Sequence, residues 1–424
     1  MQFQPLTTEE IFYSLGNDII DSTIELFTTI INLMKNNQCD FVELKERNDT
    51  LERPLKLDML IDILEPIFDS YNKFLNDNNE IDFNDMINKA IYYIEQGSYK
   101  HNYKYVIVDE YQDIAMSRYS LLKALRNKKN YKLFCVGDDW QSIYRFSGSD
   151  VGLTLNFSKY WGKTLEDKIE TTYRFDNNMI DLSGRFIMKN PFQIKKELRS
   201  KNNIDYFPLE IIQGYNSKYS LIFTEEKLRY LPKNSSVFFL GRYSFDLKML
   251  DDNFNFVYKY DNVENNIKVY YKPRRDLNII FLTVHKSKGL QADYVFILNN
   301  KDSTVGFPSK ILDPPILKLL LDNTEHFPFA EERRLFYVAL TRARKKVFLL
   351  TEKGKESIFV KELEHEYKRE IKNESNRCPV CGGVLQYKQG KFGPFLGCSN
   401  HFTNGCKYTR NIKNIVKDEK KFKS

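Results

Sequence analysis

Residues 105–113 read Tyr105-Val106-Ile107-Val108-Asp109-Glu110-Tyr111-Gln112-Asp113. A short apolar run rich in β-branched residues is the pattern of a strand buried on both faces. It ends abruptly at two adjacent carboxylates. In open α/β sheets ligands gather outside the carboxyl ends of the strands. One acid there can hold Mg²⁺ while the next activates water for attack on a γ-phosphate. Taken alone the pattern is weak, because acidic loops after strands are common.

The same texture repeats down the chain. Apolar runs at Leu133 to Val136, Val237 to Leu240, Ile279 to Val284, Tyr294 to Leu298 and Val347 to Leu350 are separated by helix-length segments. Strands spaced by helices predict an α/β fold with parallel sheets. Upstream, residues 1–100 read as helical. Ile19, Ile20, Ile24 and the run from Leu26 to Leu33 give one helix-period set, and Leu60, Ile61, Ile63, Leu64 and Ile67 another. Asp82 is placed to cap a further helix. The polar stretch between Leu240 and Ile279 supports no assignment. The charged segment Lys353 to Arg377 reads as a helical linker.

A second informative stretch follows the strand at Leu133: Gly137-Asp138-Asp139-Trp140-Gln141-Ser142-Ile143-Tyr144-Arg145-Phe146-Ser147-Gly148. Gln141 is suited to sensing a phosphate or positioning water. Tyr144 and Phe146 offer flat faces on which unpaired bases can stack, at roughly 1–3 kcal/mol per base; the competing reading places both in a core.

Across its 424 residues the chain holds 64 basic and 57 acidic side chains, a formal net charge of +7. That excess fits a nucleic-acid partner without demanding one. Lys407, Arg410, Lys413, Lys417, Lys420, Lys421 and Lys423 crowd the tail, which would attract a polyanion or remain a solvated, frayed end. No apolar run is long enough to span a membrane, and Glu9 and Glu10 argue against a leader peptide, so a cytoplasmic location is expected. Cys39 and Cys135 stand alone and read as small apolar residues. The other four cysteines form Cys378-Pro379-Val380-Cys381, then Cys398 and Cys406. Without a leader peptide such crowding favours metal over disulfides, and four thiolates suit a closed tetrahedral Zn²⁺ site.

Taken in order, these stretches and three later ones resemble the motifs of UvrD/Rep-type superfamily 1 DNA helicases. Residues 105–113 resemble motif II and the Gly137–Gly148 stretch motif III. Glu170-Thr171-Thr172-Tyr173-Arg174-Phe175 resembles motif IV, and Thr283-Val284-His285-Lys286-Ser287-Lys288-Gly289-Leu290-Gln291 motif V. Glu331-Glu332-Arg333-Arg334-Leu335-Phe336-Tyr337-Val338-Ala339-Leu340-Thr341-Arg342-Ala343-Arg344 resembles motif VI. The short form with a cysteine module is similar to the helicase IV type. Residues 378–424, with Lys391-Phe392-Gly393-Pro394-Phe395 at their centre, resemble the C-terminal zinc ribbons of type IA topoisomerases.

The resemblance implies two RecA-like parallel-sheet domains, the first incomplete, plus a zinc ribbon. Residues 1–100 would be the helical part of the first motor domain and 101–165 its remainder. Residues 166–352 would form the second motor domain, 353–377 a linker, and 378–424 the ribbon and basic tail. The implied activity is ATP-dependent 3′-to-5′ movement on single-stranded or partly duplex DNA, with Mg²⁺. Asp109 would hold the metal and Glu110 would activate water. Gln141, Arg174 and Arg342 would sense the γ-phosphate, with Arg342 projecting from the end of a helix held by Leu335, Val338 and Ala339. Tyr173 would stack on adenine, with Gly289 and Gln291 near the nucleotide; the family usually has Glu where Gln291 stands. Tyr144, Phe146, Thr283, His285, Phe392 and Tyr408 would touch DNA, while Phe395 fills the ribbon core.

One expected part is missing from the sequence. Family ATPases cradle phosphates with Gly-x-x-x-x-Gly-Lys-Ser/Thr. Only Gly162-Lys163-Thr164 has the right ending, and Phe157 stands where the first glycine must be. The chain is therefore expected to be an N-terminally shortened motor, with a separately encoded N-terminal fragment a possible partner. The alternative is a single-stranded DNA-binding module that does not hydrolyse ATP.

Overall fold

The computed structural model describes residues 17–50, 55–202, 204–262, 264, 266–321 and 325–411. The chain divides into two compact units. The first comprises residues 1–166, 192–194 and 312–331, the second residues 167–191, 195–311 and 332–424. The segment 312–331, expected in the second motor domain, thus belongs with the first unit. Among the described residues no helix is long and apolar enough to cross a membrane.

In the first unit, helices Asn17–Asn37, Phe41–Asp49, Leu55–Asp77 and Phe83–Glu95 occupy the stretch read as helical. Their apolar faces converge on a core containing Ile30, Leu33, Met34, Leu44, Ile61 and Leu64, joined by Ile316, Leu317 and Leu320. This is why 312–331 joins the first unit: its leucines complete that core. Asp82 caps the fourth helix in a reciprocal capping box with Asp85. The buried Lys35 ammonium bridges the Asp82 and Asp85 carboxylates at 2.7 and 2.9 Å, tying the first helix to the fourth.

Strands Tyr105–Val108 and Lys132–Cys135 pair in parallel, with Val108 opposite Cys135. Helix Met116–Lys128 connects them. Among the described residues the sheet has these two strands. The sequence pattern predicted burial on both faces, yet Tyr105, Ile107 and Phe134 are exposed by 67%, 72% and 62%. The opposite face carries Val108, Leu133 and Cys135 against Tyr111, Ile114 and Leu153.

The second unit is built on a seven-stranded sheet. From edge to edge it runs Leu209–Gly214, Ala343–Glu352, Ala292–Ile297, Ser236–Gly241, Asn278–Thr283, Asn266–Tyr271 and Phe256–Asp261. The first five are mutually parallel and the last two form an antiparallel hairpin. The core is aromatic: Phe296 stacks on Phe348 at 4.4 Å and meets Phe239 edge-on at 5.4 Å. The hairpin falls in the stretch left unassigned from sequence. Its strands lie at the sheet edge with Val257, Tyr260 and Tyr270 exposed, so their side-chain pattern is too polar to read as core. Strand Leu209–Gly214 was also missed. Its buried Glu210 interrupts the apolar run and is neutralised by Lys227 and by Lys346 at 3.2 Å. At its end Gly214 is required, since a Cβ there would lie 2.3 Å from the Ser220 amide nitrogen.

The segment read as a helical linker is helical, and its helices are packed against the second unit's core. Helices Ile358–Glu366 and Lys368–Ser375 form there, and Phe359, Val360 and Leu363 are fully buried. Phe359 meets Phe186 and Phe336 at 5.1 and 5.3 Å. The Arg333 guanidinium lies between the Phe186 and Phe359 rings and makes a two-pronged bond to Glu362 at 2.8 and 2.9 Å. Of the charges that suggested a linker, Lys361, Lys368, Arg369, Glu370 and Lys372 are exposed. Phe359→Ala is expected to cost about 3–5 kcal/mol of unfolding free energy. A linker residue would cost within about 0.5 kcal/mol, and chemical denaturation of the purified chain distinguishes the two.

Candidate functional site

At the carboxyl ends of the two-stranded sheet, Asp109 and Glu110 are both exposed. The Glu110 amide donates to Asp109 Oδ1 at 2.9 Å. Glu110 itself is left-handed, with φ of 51°, a conformation that costs a non-glycine residue energy and gathers at functional sites. Fully buried Gln112 links this turn to the next strand end. Its amide group donates to Glu110 Oε2, and its Oε1 accepts from the Asp138 amide at 2.8 Å. Asp138 in turn accepts from the Gln141 side chain. The structure therefore brings Asp109, Glu110 and Gln141 to one sheet end, with Gln112 as the coupling group. Gln112 stood within the stretch read from sequence, but only its burial between two loops reveals what it does.

The loop after Gln141 is held by the helical region. Asn36 Nδ2 donates to the Ser147 carbonyl at 3.0 Å, and Asn36 Oδ1 accepts from Ser117 Oγ at 2.7 Å. Gly148 has φ of 91°, and a Cβ there would fall 2.4 Å from Asn36 Nδ2. Phe146 is 54% exposed and Tyr144 half-buried, the two rings lying 6.1 Å apart at 65°. Arg145 is held by Asp313 and, at 3.1 Å, by Glu331.

In the second unit Tyr173 is 75% exposed and Arg174 half-buried, just after the two-residue strand Thr171–Thr172. Thr283 closes its strand and His285 opens the following turn. Gly289 adopts φ of 82° with open space about it, and Gln291 is exposed. Arg342 departs from expectation. Instead of projecting outward it is completely buried. Its Nε donates to the Val338 carbonyl at 2.9 Å and its Nη1 to the Leu290 carbonyl at 3.3 Å. The end of helix Ala330–Leu340 leaves carbonyls without intrahelical donors. The guanidinium satisfies one of them and ties the helix to the turn that carries Gly289 and Gln291.

The four clustered cysteines converge. Their Sγ atoms all lie within 4.8 Å of one another, with Cys378–Cys406 at 3.7 Å and Cys381–Cys398 at 3.3 Å. Sulfurs about 2.3 Å from a tetrahedral Zn²⁺ would stand roughly 3.8 Å apart, so the donor set fits that ion. Gly383 lets sulfur approach, since a Cβ there would lie 2.9 Å from Cys398 Sγ. The ribbon sheet runs Leu385–Gly390, Gly393–Cys398 and Thr409–Asn411, all antiparallel. Phe392 is 86% exposed. Tyr408 is not available for stacking: it is buried, its hydroxyl donates to Glu226 at 2.8 Å, and its ring meets Tyr230 edge-on at 5.2 Å. Phe395 is half-buried rather than internal, lying over Gly390 and Gly397. Tyr387 and Phe402, not singled out from sequence, are 66% and 89% exposed, with Lys388 5.7 Å from the Phe402 ring centroid. Of the basic tail, Lys413, Lys417, Lys420, Lys421 and Lys423 lie outside the described residues.

A parallel sheet with strand-end acids in the first unit, and a mostly parallel sheet with a four-sulfur ribbon in the second, define a class. Residues 4–161 match the UvrD/REP helicase N-terminal domain and 251–354 the UvrD-like helicase C-terminal domain. Residues 375–415 match the topoisomerase DNA binding C4 zinc finger. The chain belongs to the UvrD/REP-like helicases and ends in a topoisomerase-type zinc ribbon. It is homologous to DNA helicase IV of Escherichia coli K12, 36% identical over 307 residues that cover 72% of this chain and 42% of that one. It is also similar to the probable DNA helicase II homolog of Mycoplasma capricolum, 32% identical over 32% of this chain and 19% of that one. PcrA of Staphylococcus aureus is 29% identical over 44% of this chain and 26% of its own length. The chain thus spans about two fifths of DNA helicase IV, and less of the others.

Metal analysis of the purified chain is expected to find one zinc per molecule, and Cys378→Ser is expected to lose it. Zinc unchanged in that variant would refute the four-thiolate site.

Proposed function

We propose that the chain serves in an ATP-dependent DNA helicase or translocase moving 3′ to 5′. The observation that carries this reading is the Glu110–Gln112–Asp138–Gln141 array at the carboxyl ends of a parallel sheet. Asp109 supplies the hard oxygen that Mg²⁺ prefers. Glu110, pinned by Gln112, accepts a proton from the attacking water, and Gln141 orients that water or the γ-phosphate. Arg174 supplies positive charge where negative charge develops. Arg342, in the arrangement seen, positions the Gly289–Gln291 turn; a direct phosphate contact requires it to leave the Val338 and Leu290 carbonyls. Tyr173 offers an exposed ring for adenine, and Thr283, His285, Phe146 and Phe392 are the proposed DNA contacts, with Phe402 added by its exposure.

The phosphate loop is the part that the 424 residues do not supply. Parallel sheets are covered on both faces in stable domains, and here one face of the first unit's sheet presents Tyr105, Ile107 and Phe134 to water. A polypeptide carrying the loop, seated on that face beside Asp109 and Glu110, would complete the ATP site. The second reading, a single-stranded DNA-binding module without turnover, is favoured by the same missing loop.

The two readings separate in an ATPase assay. The chain mixed with the portion of E. coli DNA helicase IV that it does not match is expected to hydrolyse ATP faster when single-stranded DNA is added. Glu110→Gln should lower that rate by about 10²-fold or more. No DNA-stimulated turnover, either alone or in the mixture, leaves the binding module as the better account.

A further inference from the structure

Strand Ser236–Gly241 ends at the same sheet edge as Asn278–Thr283: Gly241 pairs with Thr283, and the Val284 amide donates to the Gly241 carbonyl at 2.9 Å. The residues that follow Gly241 build a column of three flat groups. The Arg242 guanidinium lies 4.7 Å from the Tyr243 ring centroid. The other partner of Tyr243 is Phe245, whose ring is stacked on it at 4.9 Å and 10° from parallel. Phe245 is 43% exposed.

The column is rigid at its base. Arg242 is bound to Glu332 at 2.8 Å, and the other Glu332 oxygen accepts from the Ser309 amide at 2.8 Å. The Tyr243 and Ser309 hydroxyls share a hydrogen bond of 2.7 Å. The Tyr243 amide donates to buried Asp246 at 2.9 Å, and Asp246 also accepts from Asn299 at 2.8 Å. Gly241 is needed for the turn, since a Cβ there would lie 2.7 Å from the Tyr243 carbonyl oxygen. Arg242 is already committed to a carboxylate, which argues against a phosphate clamp. What remains is an ordered aromatic stack whose outermost member is a partly exposed phenyl ring, on the loop that leaves the sheet where Gly241 pairs with Thr283.

We propose that Phe245, backed by Tyr243 and Arg242, is a stacking platform for one unpaired base of single-stranded DNA. The proposal rests on the DNA-binding part of the function given above. A base added to the column would be its fourth flat layer, and stacking is tolerant of base identity because every base has a π-face. Lys286, in the turn after Thr283, is exposed and adds positive charge to this end of the sheet.

The test uses the full chain and two probes of equal length, oligodeoxythymidylate and an abasic oligonucleotide with the same phosphates. Phe245→Leu keeps apolar bulk but removes the flat face, and should weaken oligodeoxythymidylate binding about 5- to 150-fold, the equivalent of the ~1–3 kcal/mol of one base–aromatic stack. Affinity for the abasic strand should be unchanged, and Phe245→Trp should retain binding to both probes. Equal losses on both probes, or no loss on either, overturn the platform while leaving DNA binding intact. If the unaltered chain binds neither probe, the DNA-binding reading itself fails, and the platform with it.

Discussion

Parallel pairing of strands is the constraint from which the functional surfaces follow. When neighbouring strands run the same way, all their carboxyl ends emerge on one side, and whatever follows them is delivered to one edge. In the first unit the pairing of Val108 with Cys135 sets Asp109 and Glu110 beside the Gly137–Gln141 turn. In the second, the pairing of Gly241 with Thr283 makes the loop that begins at Arg242 and the turn that begins at Val284 leave the same end of the sheet. Both faces of these strands are buried, so a one-residue slip would exchange Phe239 and Phe281 with Phe238, Leu240 and Leu282 and disrupt the packing on both sides. Core packing therefore holds the register that places the site.

Buried polar side chains then fix the loops that the sheet delivers. Gln112 has no exposed surface and spends its amide on Glu110 and Asp138. Arg333 joins the helix of motif VI to the helix that follows the last sheet strand. Arg342 ties that same helix to the turn at Leu290. Removing one partner of such a pair strands the other in a low-dielectric setting, which costs more than the bond itself contributes. Within each unit these groups hold the strand-end loops in place.

The zinc ribbon is fastened rather than tethered. Tyr408, just before its third strand, and Arg410, within that strand, both bind the Glu226 carboxylate on helix Ser217–Tyr230. Burial and the neighbouring Glu226 carboxylate push the Tyr408 phenol well above its ordinary range, so it stays a hydrogen-bond donor. One ribbon residue that looked available for bases is thereby spent on docking, while Tyr387, Phe392 and Phe402 stay exposed.

The sequence by itself determined the strands with uninterrupted apolar runs, the motif order, the helical character of residues 17–95 and the four-cysteine cluster. Each is a local pattern, with chemistry set by residue type and spacing. It did not disclose the strand with buried Glu210, whose charge is matched by Lys227 and Lys346, the edge hairpin at Phe256–Tyr271, whose exposed side chains hide it, or the packing of the helices at Ile358–Ser375, where Glu362 is matched by Arg333. Tertiary structure alone decided that Arg342 faces inward, that Tyr408 docks the ribbon, and that Gln112 joins two loops. Those outcomes depend on which distant carbonyl or carboxylate lies within reach, and only the folded register brings them together.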